Sequence, residues 1–292
     1  MKREPLAVAL SIAGSDSGGG AGIQADLATF AAAGVFGTCV VTALTAQNLG
    51  GVAGVKPAEP AFVARQLEAV LAGFEVRAIK TGMLGSRAIL EVVAEILARV
   101  KPGALVVDPV LRAGRGGTRG SPVRLLKAGA IETCLARLIP LATLVTPNVA
   151  ELEELSGRPA RSVAQAIDAA KMLRDRTGAA VLVKGGHLPG PADDHLVTRD
   201  VVIDFPGERI EGVETHGLGC LLSAGVAAGL ARGAALVEAL AESKRRVADA
   251  FARPIVLGSR TLVLGTGAAY RAAGGATTPA DDAPLAAEVS AR

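Results

Sequence analysis

The stretch Glu214-Thr215-His216-Gly217-Leu218-Gly219-Cys220-Leu221-Leu222-Ser223-Ala224-Gly225 carries the residue types from which an anion-binding catalytic loop is built. Gly217 and Gly219 lack a Cβ, so the backbone there can take positive φ and turn its N–H groups toward one point. An apolar, Ala-rich pattern follows and predicts a helix starting near Gly219, whose free N–H groups and dipole add positive potential. Cys220 stands at that helix mouth. A thiolate there is stabilised, its pKa is expected below the free value of about 8.5, and it can act as a base. Taken alone the stretch fits a structural role better than a catalytic one, since cysteine is often buried and Gly-x-Gly pairs are common at turns.

Other polar residues gather where apolar runs end. Leu6 to Ala13 reads as a strand buried on both faces, bounded by Gly14 and followed by Ser15-Asp16-Ser17-Gly18-Gly19-Gly20-Ala21-Gly22, a loop whose backbone can approach a ligand. An amphipathic helix, Ile23 to Ala33, comes directly after it. The β-branched run Thr38 to Ala46 ends at Gln47-Asn48, two amides at the carboxyl end of a strand, where open α/β sheets bind ligands. Asn48 suits a turn equally well, and Gln47 is the stronger candidate for ligand contact. A helix from Pro60 to Ala72 and a strand from Val76 to Lys80 lead into Thr81-Gly82-Met83-Leu84-Gly85, then a helix over Ser86 to Arg99.

The strand Ala104 to Asp108 puts a carboxylate at its tip, to serve Mg²⁺ or to cap a turn. Residues 111 to 122 hold four glycines and three arginines, Arg112, Arg115 and Arg119, which either close over phosphates or form a solvated loop. Leu141 to Thr146 is a strand running into Pro147-Asn148, with Glu151 three residues on. Asn148 and Glu151 read as a capping box, a role compatible with an outer-sphere magnesium site. Ser162 to Thr177 is helical by period, and Ala179 to Val183 is a buried strand ending Lys184-Gly185-Gly186-His187, where a lysine beside glycines suits phosphate. Val201 to Val213 reads as an edge hairpin, and two helices after Gly219 close the fold.

Repeated strand–helix alternation with polar residues at strand ends is the doubly wound α/β plan, a mostly parallel sheet flanked by helices. The 292 residues, half of them hydrophobic, suffice for one large domain over 1–271. The Ala/Thr/Pro-rich residues 272–292 have the composition of a disordered tail. The charge balance of 31 basic to 28 acidic residues is scattered, and aromatics make up 2%, so neither a nucleic-acid footprint nor a base-stacking platform is present. The apolar N-terminal run is too short to span a membrane and reads as a strand rather than a signal peptide. Cys39, Cys134 and Cys220 are odd in number and far apart, which argues against disulfides and zinc and for a cytoplasmic location.

Seven motifs then occur in one order: Gly14-Ser15-Asp16-Ser17-Gly18-Gly19-Gly20-Ala21-Gly22-Ile23-Gln24-Ala25-Asp26, Thr42-Ala43-Leu44-Thr45-Ala46-Gln47-Asn48, Lys80-Thr81-Gly82-Met83-Leu84, Asp108-Pro109-Val110, Thr146-Pro147-Asn148 with Glu151, Lys184-Gly185-Gly186-His187, and Thr215-His216-Gly217 with Gly219-Cys220. Together they resemble the hydroxymethylpyrimidine/phosphomethylpyrimidine kinases of thiamine biosynthesis, which have the ribokinase-like fold. The resemblance implies ATP-dependent phosphorylation of 4-amino-5-hydroxymethyl-2-methylpyrimidine and then of its monophosphate. It implies that Gln47, Asp26, Gly14 and Met83 form the pyrimidine pocket and that Asp108, Asn148 and Glu151 hold Mg²⁺ and its waters. Lys184 would touch ATP phosphates, and Cys220 would stand where most ribokinase-like enzymes carry a catalytic Asp. A homodimer is common in the family. Pyridoxal kinases of the same fold are the nearest alternative, and a catalytically weak pyrimidine-binding sensor is another. The chain departs from the family at Leu218 and Leu221, where threonines are usual, and after Val110, where Met-Val-Ala-Lys-Ser-Gly is usual.

Overall fold

β1 (Val8–Ser15) is the strand from which the sheet grows, and Ala9 to Ala13 are buried along its length. Helices cover both of its faces, which is why its sequence is a near-continuous apolar run. The computed structural model describes residues 5–111, 128–257 and 260–267. After β1 come α1 (Gly22–Ala32), β2 (Phe36–Asn48), β3 (Gly51–Pro57), α2 (Pro60–Gly73), β4 (Val76–Thr81), α3 (Arg87–Val100) and β5 (Leu105–Val107). Next are α4 (Ala128–Thr133), β6 (Leu144–Val145), α5 (Val149–Ser156), α6 (Val163–Thr177), β7 (Ala180–Val183), β8 (Asp194–Val197) and β9 (Val202–Phe205). The last elements are β10 (Thr215–His216), α7 (Leu218–Ala231), α8 (Leu236–Ala252), β11 (Ile255–Leu257) and β12 (Arg260–Leu264).

The main sheet has the order β3-β2-β1-β4-β5-β6-β7-β8-β9. Neighbours from β2 to β7 pair in parallel, and antiparallel strands close both edges, β3 on one side and β8 with β9 on the other. The chain goes from β1 to one side and returns to the other at β4, so the topological switch point lies between β1 and β4. Side chains alternate across the sheet. Leu10, Ile12, Ile79 and Val107 pack with α2, α3, α5 and α6, whereas Ala9, Ala78 and Val106 face α1, α7 and α8. Each fully buried Leu or Ile contributes about 1.5–3 kcal/mol.

The small residues on the second face let α7 approach the sheet, and Gly225 and Gly229 let α8 approach α7. A Cβ on Gly225 would lie 2.3 Å from Ser243 Oγ, and one on Gly229 2.7 Å from Ala239 Cβ. Helix starts follow their side chains: the Ser86 and Ser162 hydroxyls accept the N–H groups of Ile89 and Gln165.

β2 ends at Gln47-Asn48 as expected and turns there into the β2–β3 hairpin, whose register shifts between Ala46 and Gln47. Two expectations need correction. The edge hairpin spans Asp194 to Phe205, not Val201 to Val213. Residues 206–213 instead form a loop held by Arg209, which donates to the carbonyls of Gly185, Gly186 and Gly190. The chain also does not close with two helices, because β11 and β12 follow and β12 pairs in parallel with β10, fixing the residues just before Gly217. Arg112, Arg115, Arg119 and the 272–292 tail lie outside the described residues. No described helix is long and apolar enough to cross a membrane.

Candidate active site

Because β1, β2, β4, β5, β6 and β7 run parallel, their carboxyl ends share one edge of the sheet, and the loops singled out in the sequence leave from it. The mouth of α7 comes to the same edge. Gly217 is its N-cap at φ 73°, and a Cβ there would lie 1.8 Å from the Gly20 carbonyl oxygen, so no other residue fits. Gly219 is different from the expectation: it does not take positive φ but belongs to the first helical turn. A Cβ on Gly219 would stand 3.9 Å from both Asp108 Oδ2 and Lys184 Nζ, which brings the helix mouth, a carboxylate and an ammonium around one space.

Asp108 is 5% exposed and accepts hydrogen bonds from Thr146 Oγ1 and Ser223 Oγ, each at 3.2 Å. Glu151 completes the expected capping box at α5, its Oε2 accepting Asn148 N–H at 2.9 Å while Asn148 Oδ1 accepts Glu151 N–H at 2.9 Å. Its other oxygen accepts the Leu111 N–H. Burial and the nearby Asp108 charge push the Glu151 carboxyl up to about 7, against the pull of Lys184 and these N–H groups. Lys184 is half-buried at the end of β7.

Cys220 corrects the expectation of an acidic thiol. Part of the residue reaches solvent, but the groups packed round its sulfur remove the solvation a thiolate needs, and its pKa is pushed up to about 11. Lys80 and the Gly22 N–H favour the thiolate, and the charges of Asp26 and Asp108 oppose it.

Asp26 lies beneath this centre, 0% exposed, and accepts from Lys80 Nζ at 2.8 and 2.9 Å and from Ser11 Oγ at 2.5 Å. Burial raises the carboxyl, opposed by Lys80 and Ser11. Burial alone would lower Lys80, yet Asp26 carries the ammonium above its ordinary value, and the contact geometry is that of an ion pair. Asp26 is therefore sealed in the fold with its partner instead of lining an open pocket. Lys80 had no assigned role in the sequence, although a lysine closing a run as apolar as Ala78-Ile79 signals a buried partner.

On the β2 side, Gly14 lets Met83 lie across β1, since a Cβ there would be 2.3 Å from Met83 Cε, and Thr42 Oγ1 donates to the Met83 carbonyl. Gln47 is half-buried; Ser17 Oγ bridges its N–H and C=O, tying the glycine-rich loop to the hairpin. Asn48 is the turn residue, its Oδ1 accepting Gly50 N–H at 2.7 Å. The glycines after β1 serve chain-to-chain packing too: a Cβ on Gly20 would meet the His216 ring at 2.2 Å. At the two departures from the resembled pattern, Leu221 is buried against Ala250 and Val263, and Leu218 packs on the same cluster. Thr146, Ser223, Asp16 and His216 join Lys80 as site residues that lie in the quoted stretches but had no role assigned from the sequence.

A sequence model of the phosphomethylpyrimidine kinase family matches residues 16–264. The hydroxymethylpyrimidine/phosphomethylpyrimidine kinase of Rhizobium meliloti is 47% identical over 245 residues, 82% of this chain and 88% of that one. The crystal structure of Clostridium difficile phosphomethylpyrimidine kinase is 38% identical with a TM-score of 0.73, covering 84% of this chain and 99% of that one. An ADP complex of Bacillus subtilis pyridoxal kinase is 34% identical with a TM-score of 0.80, covering 90% of this chain and 98% of that one. The expected ribokinase-like α/β fold is thus the observed one. With the family's motifs on one sheet edge and its model matched over most of the length, the chain belongs to the phosphomethylpyrimidine kinase family.

Proposed function

We propose that this chain transfers the γ-phosphoryl group of ATP to the hydroxymethyl oxygen of 4-amino-5-hydroxymethyl-2-methylpyrimidine, and then phosphorylates the monophosphate, in the cytoplasm as a homodimer. The observation that carries the reading is the convergence of the α7 mouth, Asp108 and Lys184 around Gly219 beside the switch point of the sheet. Phosphoryl transfer asks a protein mainly to position groups and neutralise charge, and free N–H groups at a helix start with a nearby ammonium supply that. Lys184 and Asn148 serve the ATP phosphates. Gln47, Gly14 and Met83 hold the pyrimidine, with the Asp26–Lys80 pair supporting the floor.

Magnesium fits the residues present. Among the described residues no group of three or more His, Cys, Asp or Glu is placed to hold a metal. Mg²⁺ usually takes only one or two carboxylates, its remaining ligands being phosphates and water. Asp108 and Glu151 are two buried carboxylates, burial and the Asp108 charge raise the proton affinity of Glu151, and a cation would relieve that cost. Bound there with the nucleotide, it would neutralise charge on the phosphates.

Cys220 accepts the hydroxyl proton. In the free chain it is a thiol at neutral pH, so kcat/KM is expected to climb with pH toward about 11. Cys220→Ala is expected to lower kcat by about 10²–10⁴-fold and to leave pyrimidine affinity largely intact. ADP release measured with the pyrimidine, its monophosphate and pyridoxal tests the substrate assignment at the same time. Equal turnover in the variant sinks the base, and a preference for pyridoxal sinks the substrate.

A further inference from the structure

We propose that Asp16 and His216 form a positioning pair that locks the glycine-rich loop after β1 onto the anion-binding loop before α7, so that both halves of the site are held as one piece. The Asp16 carboxylate is 3% exposed and fully engaged. Its Oδ1 accepts Gly18 N–H at 2.8 Å, and its Oδ2 accepts Gly20 N–H at 3.1 Å and Ala21 N–H at 2.8 Å and meets His216 Nε2 at 3.0 Å. One side chain thus sets the shape of the first loop and reaches a residue 200 positions away.

The contacts continue on both sides. Asp16 N–H donates to Gln24 Oε1, whose amide donates to Ser15 Oγ, so the loop's entry is tied to α1. Ser17, next in the chain, bridges to Gln47. On the far side, His216 sits in β10, and its carbonyl accepts Gly265 N–H at 3.0 Å, just past β12. Gly217 follows at φ 73° with its backbone against the Gly20 carbonyl, and the His216 ring lies on Gly20, where a Cβ would clash. Burial works against the Asp16 carboxylate, but the bonds from His216, Gly18 and Ala21 outweigh it and keep the group below the usual carboxylate range.

Asp16 and His216 are engaged with each other and with the backbone of the loop. Each acts through Gly217 and the α7 mouth, where a small displacement of N–H groups weakens transition-state stabilisation more than ground-state binding. His216 also lies at the edge of the small β10–β12 sheet, with 26% of its side chain exposed, so truncating it opens no cavity in the main core. The inference rests on the assignment of Gly217 to Cys220 as the phosphoryl site.

The test uses the full chain with ATP and the hydroxymethylpyrimidine, comparing wild type, Cys220→Ala, Asp16→Asn, His216→Ala, His216→Gln and the Asp16→Asn/His216→Ala double variant, each with a thermal melt. Asp16→Asn and His216→Ala are each expected to lower kcat on the order of 10- to 100-fold. The pyrimidine KM should stay within about threefold, since uniform binding is not what is lost. The double variant should be no worse than the weaker single, because both remove one interaction. His216→Gln should recover most of the rate, its amide N–H replacing the Nε2 donor. Wild-type kcat in His216→Ala, multiplicative losses in the double variant, or no recovery in His216→Gln overturns the pair. If Asp16→Asn does not fold, the His216 series decides alone. Full turnover in Cys220→Ala overturns the reading of the phosphoryl site, an outcome separate from wild-type turnover in His216→Ala.

Discussion

Asp26 on one side and Asp108 with Glu151 on the other are all buried carboxylates of the same sheet edge, and the chain treats their charge in opposite ways. Asp26 receives an ammonium and a hydroxyl. Asp108 receives two hydroxyls, and Glu151 receives backbone N–H groups. A buried charge costs several kcal/mol unless it is paired. At Asp26 the fold itself offsets that cost. At Glu151 burial, with the Asp108 charge added to it, outweighs the N–H groups and Lys184 and holds the carboxyl near 7. The first arrangement belongs to the scaffold, and the second is the place proposed for magnesium.

The largest effect expected from breaking this contrast is at Lys80. Lys80→Met strands Asp26 without a partner, and urea denaturation should show a loss of about 3–5 kcal/mol. Adding Asp26→Leu should recover much of it; a neutral Lys80→Met would show that the pair is not a compensated one. Asp108→Asn should behave in reverse, with stability unchanged or higher because one of two like charges is gone, while kcat/KM falls on the order of 100-fold.

Glu151 offers a pH test of the same contrast. Its folded pKa lies above its ordinary 4.5, at about 7, so the folded chain keeps a proton that the unfolded chain has released. Unfolding free energy should therefore decline as pH rises from about 4.5 to about 7, by on the order of 2–3 kcal/mol. Glu151→Gln should remove that slope, and Mg²⁺ with ATP should flatten it; urea melts across the window that show an equal slope in the variant would place the titration elsewhere. The smallest effect is expected at Ser223→Ala, which removes one hydroxyl from Asp108 at a cost of about 1 kcal/mol. It should appear as a severalfold drop in kcat/KM at constant pyrimidine KM.

Local signals were legible where neighbours in the chain decide the outcome. The apolar run before Gly14 is β1, the Ser86 and Ser162 caps start α3 and α6, and the Asn148–Glu151 box starts α5. Sequence patterning missed strands with near and with distant partners alike. β3 exists because β2 folds back on itself, and β12 pairs with β10 across the whole of α7 and α8. The 206–213 loop carries the polarity of an edge strand, but Arg209 spends it on carbonyls near Lys184.

The sequence alone determined the strand–helix alternation, and with it the assembly of Gly14, Gln47, Met83, Asp108, Asn148 and Lys184 along one edge. Parallel strands joined by right-handed crossovers all end on the same side, so residues at their carboxyl tips meet whatever the loops between them. Only the tertiary structure decided how those residues are charged and held. Cys220 is a poorer acid than its helix mouth suggested because the packing round it takes solvent away from the sulfur. Asp26 is closed off because Lys80, 54 residues away, arrives on β4, and Asp16 meets His216 because β10 is fixed from the far end of the described chain. Desolvation and long-range pairing depend on what stacks over a side chain, and neither is written in its neighbours along the sequence.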